Sequence, residues 1–268
     1  MTDEPEIVIP LDRLPPGFAE RVEAQSHSAA TPLPAATVVL VRDGSEAPEI
    51  LLLERHRASG FVPGAYVFPG GRVDEGDAAD ELRAMCAPPA PPEAAYWFAA
   101  VREAFEETGV LLARGESGEA VADATQSVDV AAWREALLSN RAQFAAVLGA
   151  LRARLDLDRM VYCAHWITPV AEPRRYDTRF FIAELPHGST VRIEEREMSA
   201  AVWVTAAAAV EGFRDGSLPM VFPTVKTIQR LAPYRTVDGM LAAFRSADVP
   251  ATMPRLVRTA DGVGIVLD

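Results

Sequence analysis

Three glutamates stand close together in the stretch Arg102-Glu103-Ala104-Phe105-Glu106-Glu107-Thr108-Gly109-Val110. On a helix, Glu103, Glu106 and Glu107 occupy i, i+3 and i+4, one turn apart on a single face. Val101, Ala104 and Phe105 fall elsewhere and can pack inward. Three carboxylates on one patch repel one another unless a cation sits among them, and hard oxygen ligands suit Mg²⁺ or Mn²⁺. On these nine residues alone, a solvated acidic helix face is the simpler reading. Upstream lies Gly70-Gly71-Arg72-Val73-Asp74-Glu75-Gly76-Asp77. A glycine pair lets backbone come close to a ligand or metal; an ordinary turn after a strand is the plain alternative.

The elements that must position these residues can be placed coarsely. Thr37–Val41 and Ile50–Leu53 read as buried strands joined by a turn at Asp43-Gly44. Ala65–Phe68 is short and strand-like, and Pro69-Gly70-Gly71 reads as a turn. A short helix fits Ala78–Met85. The Pro-rich run at 88–92 then interrupts the chain. A longer helix is expected from about Glu93 to Thr108, with Gly109 just past its end. Residues 131–155 read as helical with a break near Ser139-Asn140. Strands are expected at 161–167, 179–185 and 201–204, and helices at 206–213, 224–231 and 237–244. Residues 1–34 are punctuated by proline and are expected to drape over the surface. Strict βα alternation is missing, which favours an α+β sheet flanked by helices over a Rossmann-like fold. There is no Gly-x-Gly-x-x-Gly and no Walker loop.

The balance of 38 acidic against 26 basic residues, net −12, argues against a nucleic-acid partner, since phosphate backbones are held by Lys and Arg. It also leaves no basic stripe for a membrane surface. An anionic substrate would need its repulsion offset locally, and a divalent cation is the natural means. The two cysteines, Cys86 and Cys163, form no Cys-x-x-Cys pair, so they read as buried thiols of a reducing compartment. The start of the chain is acidic and lacks the apolar core of a signal peptide, and no apolar run approaches a membrane span. A cytoplasmic address is therefore expected.

Together the two acidic segments resemble the box of the Nudix hydrolases, G-x5-E-x7-R-E-U-x-E-E-x-G-U with U apolar. Gly71 takes the first Gly. Arg102, Glu103, Ala104, Glu106, Glu107, Gly109 and Val110 supply the second half. Asp77 stands where the box has Glu, and 24 residues separate it from Arg102 where the box has seven, an insertion of 17. The resemblance implies an α+β Nudix fold, an α/β/α sandwich around a mixed sheet with extra helices. It implies an N-terminal extension at 1–34, a hydrolase domain at 35–235 and a C-terminal helical extension at 236–268. Within the hydrolase domain, 78–95 would be the insertion in the box and 115–158 a helical insertion. Glu103, Glu106, Glu107 and the Gly70 carbonyl would hold Mg²⁺ or Mn²⁺. Arg102 would orient a catalytic Glu by a charge-assisted hydrogen bond. The general base is left open among Glu106, Glu107 and a loop glutamate before Trp203, with Glu197 chosen by spacing over Glu194 and Glu195.

A second signature narrows the substrate. Coenzyme A-cleaving Nudix enzymes carry L-L-T-x-R-[SA]-x3-R-x3-G-x3-F-P-G-G. Here Leu51, Leu52, Arg55, Gly64, Phe68, Pro69, Gly70 and Gly71 match, while Leu53, His56 and Gly60 depart. The split box, the segment 61–71, Trp166-Ile167-Thr168-Pro169 and the segment 174–181 are similar to the peroxisomal-type coenzyme A diphosphatase branch. The chain closes on Val266-Leu267-Asp268 rather than Ser-Lys-Leu, so the resemblance does not carry that address. It does imply Mg²⁺-dependent hydrolysis of coenzyme A or acyl-coenzyme A to 3′,5′-ADP and a 4′-phosphopantetheine. Arg55, Arg174 and Arg175 are the candidate substrate contacts, with surface pairing as the alternative for the last two. Trp166 and Tyr176 could stack an adenine, although Trp166 fits a core position better. Two other readings stay open. One is a Nudix hydrolase of another nucleotide, such as ADP-ribose, NADH or a dinucleoside polyphosphate. The other is a Nudix-fold binding module without turnover. The expected partner is a small-molecule nucleotide, with neither nucleic acid nor membrane, and a homodimer is an open option.

Overall fold

A computed structural model describes residues 5–24, 30–57, 62–86, 90–121, 123 and 125–267. Expectations that fall on Gly60, Phe61 and residues 87–89 lie outside the described residues. The chain forms two compact units, one made of residues 35–163 and 179–248, the other of 1–34, 164–178 and 249–268.

The main sheet is built on strands β1 (Leu33–Arg42), β2 (Glu49–Arg55), β3 (Tyr66–Val67), β4 (Gly70–Arg72), β5 (Met160–Ile167), β6 (Tyr176–Glu184) and β7 (Met198–Thr205). Their order is β7-β2-β1-β6-β5, with β3 paired to β2 and β4 to β1. Val38 to Val41 and Ile50 to Leu53 are wholly buried. Such unbroken apolar runs belong to strands covered on both faces, which is why they do not alternate with polar residues. Against this sheet packs α1 (Ala94–Thr108), whose Phe98, Val101, Ala104 and Phe105 enter the core beside Leu51, Leu53 and Phe181. Its run of good helix formers ends at Gly109, which takes the left-handed conformation at φ 72° and closes the helix as its position foretold. The helical insertion supplies α2 (Val128–Leu138) and α3 (Phe144–Ala150). The expected break between them falls at Asn140, with φ 55°. The tail of that segment is not helical, because Arg154–Leu155 pairs instead with Ala113–Arg114. Helices α4 (Ala206–Asp215), α5 (Phe222–Leu231) and α6 (Val237–Arg245) follow β7.

One expectation is corrected at the glycines. Gly70–Arg72 is not a turn but a short antiparallel strand, with Gly70 opposite Thr37 and Gly71 opposite Ala36. Close approach is what requires glycine here. A Cβ on Gly70 would lie 2.6 Å from the Ala36 carbonyl oxygen, and one on Gly71 would lie 2.3 Å from Glu103 Oε1.

The smaller unit corrects the reading of the two ends. Residues 1–34 do not merely drape: Ile7–Pro10 pairs antiparallel with Gly262–Val266, which pairs in turn with Arg255–Arg258. Phe18, Ala19 and Val22 of the helix Phe18–Glu23 pack on Val263. The C-terminal extension is therefore helical only through Arg245. The Asp261-Gly262 turn and the apolar Val263, Ile265 and Val266 carry a hairpin beyond it. Trp166 is buried, in keeping with a core role. No helix among the described residues is long and apolar enough to cross a membrane.

Candidate active site

The C-terminal half of α1 is pressed against β4. Glu103 meets Gly71 where a side chain would have been, and Glu107 Oε2 accepts the Gly70 amide hydrogen at 3.1 Å. Glu106 lies one turn away on the same helix face. Burial sets the electrostatics. It raises the Glu103 carboxyl to about 7, with Glu106 adding to the rise and Arg102 opposing it. Burial likewise raises Glu106, against the pull of Arg102. Glu107 rises well above the usual carboxylate range, through burial first and the Glu103 charge second; the Gly70 amide and Arg55 oppose this, while Glu197 adds to it. A patch of carboxylates that resist ionisation together is a patch short of positive charge.

Arg102 supplies part of that charge. Its Nε and Nη2 form a two-pronged bond to Asp77, both at 2.9 Å, and Nη2 also donates to the Arg72 carbonyl at 2.8 Å. Its Nη1 donates to Glu103 at 2.9 Å and to Glu106 at 3.2 Å. Asp77 is 1% exposed and Arg102 only 6%. Burial by itself would lower the guanidinium pKa, but the Asp77 bond and the surrounding carboxylates push it upward instead. Asp77 is held in turn by a capping box with Asp74, whose amide donates to Asp77 at 2.8 Å. The 17-residue insertion thus leaves the box intact in space, since the buried Asp77–Arg102 pair joins its halves. Asp77, read in the sequence only as a shortened Glu, is a member of the site in its own right.

Arg102 bridges Asp77, Glu103 and Glu106. Among the described residues, no three acidic, histidine or cysteine side chains converge into a ready-made cation cage. Glu103 and Glu107 nevertheless both face the β4 glycines, and all three glutamates sit on a patch whose charge is incompletely offset. These donors are of the hard oxygen type that takes a divalent cation.

The end of α1 is fastened by two other segments. Arg134 of α2, 6% exposed, donates from Nε and Nη2 to the Glu106 carbonyl at 3.0 and 2.7 Å. The Arg192 and Glu194 amides donate to the Thr108 and Glu107 carbonyls at 2.8 and 2.9 Å. These bonds satisfy carbonyls that a helix end leaves without intrahelical partners. No local pattern marks Arg134 for this role, because its partner lies 28 residues away. Glu197 is exposed, and its charge reaches Glu107, as does that of Arg55 at the end of β2.

The remaining candidates are placed differently. Arg174 and Arg175 belong to the smaller unit. Arg174 is exposed. The Arg175 guanidinium is buried and donates to the Thr168 carbonyl at 3.0 Å, the Ala30 carbonyl at 2.9 Å and Met253 Sδ at 3.3 Å. Its fork is thus occupied in holding backbone together.

A helix bearing Arg-Glu-x-x-Glu-Glu, packed on a Gly-Gly strand and joined by a buried Asp–Arg pair to the segment that follows that strand, in an α+β fold, is the arrangement of a Nudix hydrolase. Comparisons agree. The profile of the NUDT19 Nudix domain matches residues 83–231. The acyl-coenzyme A diphosphatase NUDT19 of Xenopus laevis is 25% identical over 260 residues, covering 80% of this chain and 68% of that protein. Its Homo sapiens counterpart is 27% identical over 265 residues, covering 82% and 70%, and the Gallus gallus protein 28% over 241 residues, covering 72% and 63%. The chain therefore spans about two thirds of the length of these relatives. The crystal structure of a NUDIX hydrolase from Alicyclobacillus acidocaldarius superposes with a TM-score of 0.71 at 26% identity, covering 82% of this chain and 99% of that one. This chain belongs to the Nudix hydrolases, in the branch defined by the NUDT19 Nudix domain.

Proposed function

We propose that this Nudix hydrolase cleaves the diphosphate of coenzyme A or an acyl-coenzyme A, releasing 3′,5′-ADP and a 4′-phosphopantetheine, with Mg²⁺ or Mn²⁺ bound at the glutamate patch. The observation that carries this reading is the close packing of Glu103 and Glu107 on Gly71 and Gly70, held across the insertion by Asp77 and Arg102. The substrate class rests on the Arg55 and 64–71 signature and on the names of the relatives.

Glu103, Glu106 and Glu107, with the Gly70 carbonyl, would hold the cation. Once bound, it neutralises charge on the phosphoryl oxygens and lowers the pKa of the attacking water. Arg102 orients Glu103 and Glu106. Glu197, exposed to solvent yet within electrostatic reach of Glu107, takes the proton from that water. Arg55, whose charge reaches Glu107, offers a cation to the diphosphate. Glu106 and Glu107 are less suited to the base role, the first because Arg102 holds it, the second because it is buried against the Gly70 amide.

The test is a substrate panel with Mg²⁺ and with Mn²⁺, products resolved by chromatography: coenzyme A, acyl-coenzyme A, ADP-ribose, NADH and a dinucleoside polyphosphate. Release of 3′,5′-ADP from the coenzyme A substrates at the highest kcat/KM is the expected result. Preferential cleavage of another nucleotide would reassign the substrate, and no turnover of any of them would leave a binding module.

A further inference from the structure

The loop that carries Glu197 is fixed at both ends, and one of its fastenings belongs to a residue that no signature singles out. On one side it is tied to the end of α1 through the Arg192 and Glu194 amides. On the other it meets His56, the residue that follows the last residue of β2. The His56 backbone amide donates to the Glu197 carbonyl at 3.1 Å, and His56 Nε2 lies 2.7 Å from the Glu195 carbonyl. A carbonyl only accepts, so that ring nitrogen carries the hydrogen. Between these ties the loop folds back on itself, with the Glu197 and Met198 amides donating to the Glu194 carbonyl at 3.1 and 2.9 Å. Arg196 mostly stiffens the loop internally, since its Nε donates to Glu194 at 2.7 Å.

We infer that His56 is a positioning residue: its ring and amide together hold the 194–197 turn against the end of β2, and so fix the place of the Glu197 carboxylate relative to Glu107. This inference rests on Glu197 being the general base. An exposed glutamate on an unanchored loop would sample many positions, and proton transfer is sensitive to displacements of an ångström. The backbone bond at position 56 survives any substitution other than proline, whereas the ring bond depends on the side chain. Gln at position 56 can present an N–H donor towards the same carbonyl; Ala cannot.

The experiment compares wild type, His56→Ala, His56→Gln, Glu197→Gln and the His56→Ala/Glu197→Gln double variant, by steady-state kinetics on the coenzyme A substrate and by amide hydrogen exchange. His56→Ala should lower kcat roughly tenfold, about the effect of one well-placed hydrogen bond, with KM little changed, and His56→Gln should recover most of the loss. Exchange should quicken in peptides covering 192–198 of His56→Ala and stay unchanged in those covering 94–108. In the Glu197→Gln background His56→Ala should cost nothing further, because residues acting as one unit are not additive. The inference is overturned by unchanged exchange in the loop, or by the same loss of kcat with and without Glu197. The base assignment has its own readout: a Glu197→Gln enzyme with full kcat removes Glu197 from the chemistry whatever His56 does.

Discussion

Arg102 and Arg175 are both buried arginines with every nitrogen engaged, yet one sits among the acids of the candidate site and the other among backbone carbonyls. Arg102 hydrogen-bonds to three carboxylates, Asp77, Glu103 and Glu106, and one carbonyl, and pairs with a fourth carboxylate, Asp74, at 3.8 Å. Arg175 touches two carbonyls and a thioether and, among the described residues, no carboxylate. The partners make the difference. A guanidinium among backbone carbonyls closes off polar groups and carries little coupling to other charges. A guanidinium among crowded acids sets their protonation, and the patch it leaves partly uncompensated can take up another cation. Burial of an arginine therefore says little about function until its acceptors are known.

The largest effect that tests this contrast comes from removing Arg102. Arg102→Met strands Asp77 and two glutamates without their cation. Loss of one partner of a buried ion pair costs about 3–5 kcal/mol. Denaturant unfolding in metal-free buffer should show a loss of that size, together with a large fall in kcat. If Arg102→Met unfolds like wild type, the Asp77–Arg102 pair is not what joins the split box.

Next in size is a pH effect. Without metal the Glu103 carboxyl lies at about 7 against an ordinary 4.5. A carboxyl raised in the folded state favours folding when protonated, so its contribution is full below the ordinary value and is lost as pH rises through the folded one. In EDTA, stability should fall by on the order of 3 kcal/mol between about pH 4.5 and 8, taking about 1.4 kcal/mol per pKa unit. Glu103→Gln should flatten that slope, and Mn²⁺ should reverse it by favouring the charged form. A slope unaltered by Glu103→Gln would show that other groups set it.

The smallest effect belongs to Arg175. Arg175→Lys keeps a charge but gathers its donors on one nitrogen and loses the fork, so unfolding should be easier by about 1–2 kcal/mol, with kcat and KM for coenzyme A unchanged. A rise in KM without loss of stability would restore Arg175 as a substrate contact and erase the contrast with Arg102.

The glutamate-bearing helix was legible because its information is local. The i, i+3, i+4 spacing, the apolar positions between and Gly109 at the end all lie within one short stretch. The spacing from Gly71 to Asp77 likewise marked Asp77 as a box residue, but not the two-pronged bond to Arg102 across the insertion. Three features were hidden for physical reasons. The strand at Gly70–Arg72 looked like a turn because glycine's freedom and its smallness leave the same letter in the sequence. The sheet joining Ile7–Pro10 to Gly262–Val266 pairs the two ends of the chain, and no local pattern reports a partner so remote. The bonds of Arg175 to the Thr168 and Ala30 carbonyls could not be foreseen, because a guanidinium fits carbonyls, carboxylates and phosphates alike and only the fold decides which it meets.

The claim on which the rest depends is that the glutamates against the β4 glycines bind a divalent cation. Calorimetric titration of the metal-free protein with Mn²⁺ tests it most directly. Wild type should bind Mn²⁺, and Glu103→Gln and Glu107→Gln should each weaken that binding at least about tenfold, roughly 1.4 kcal/mol, while leaving the circular dichroism spectrum unchanged. Wild type that takes up no Mn²⁺, or variants that bind it as tightly as wild type, would contradict the claim.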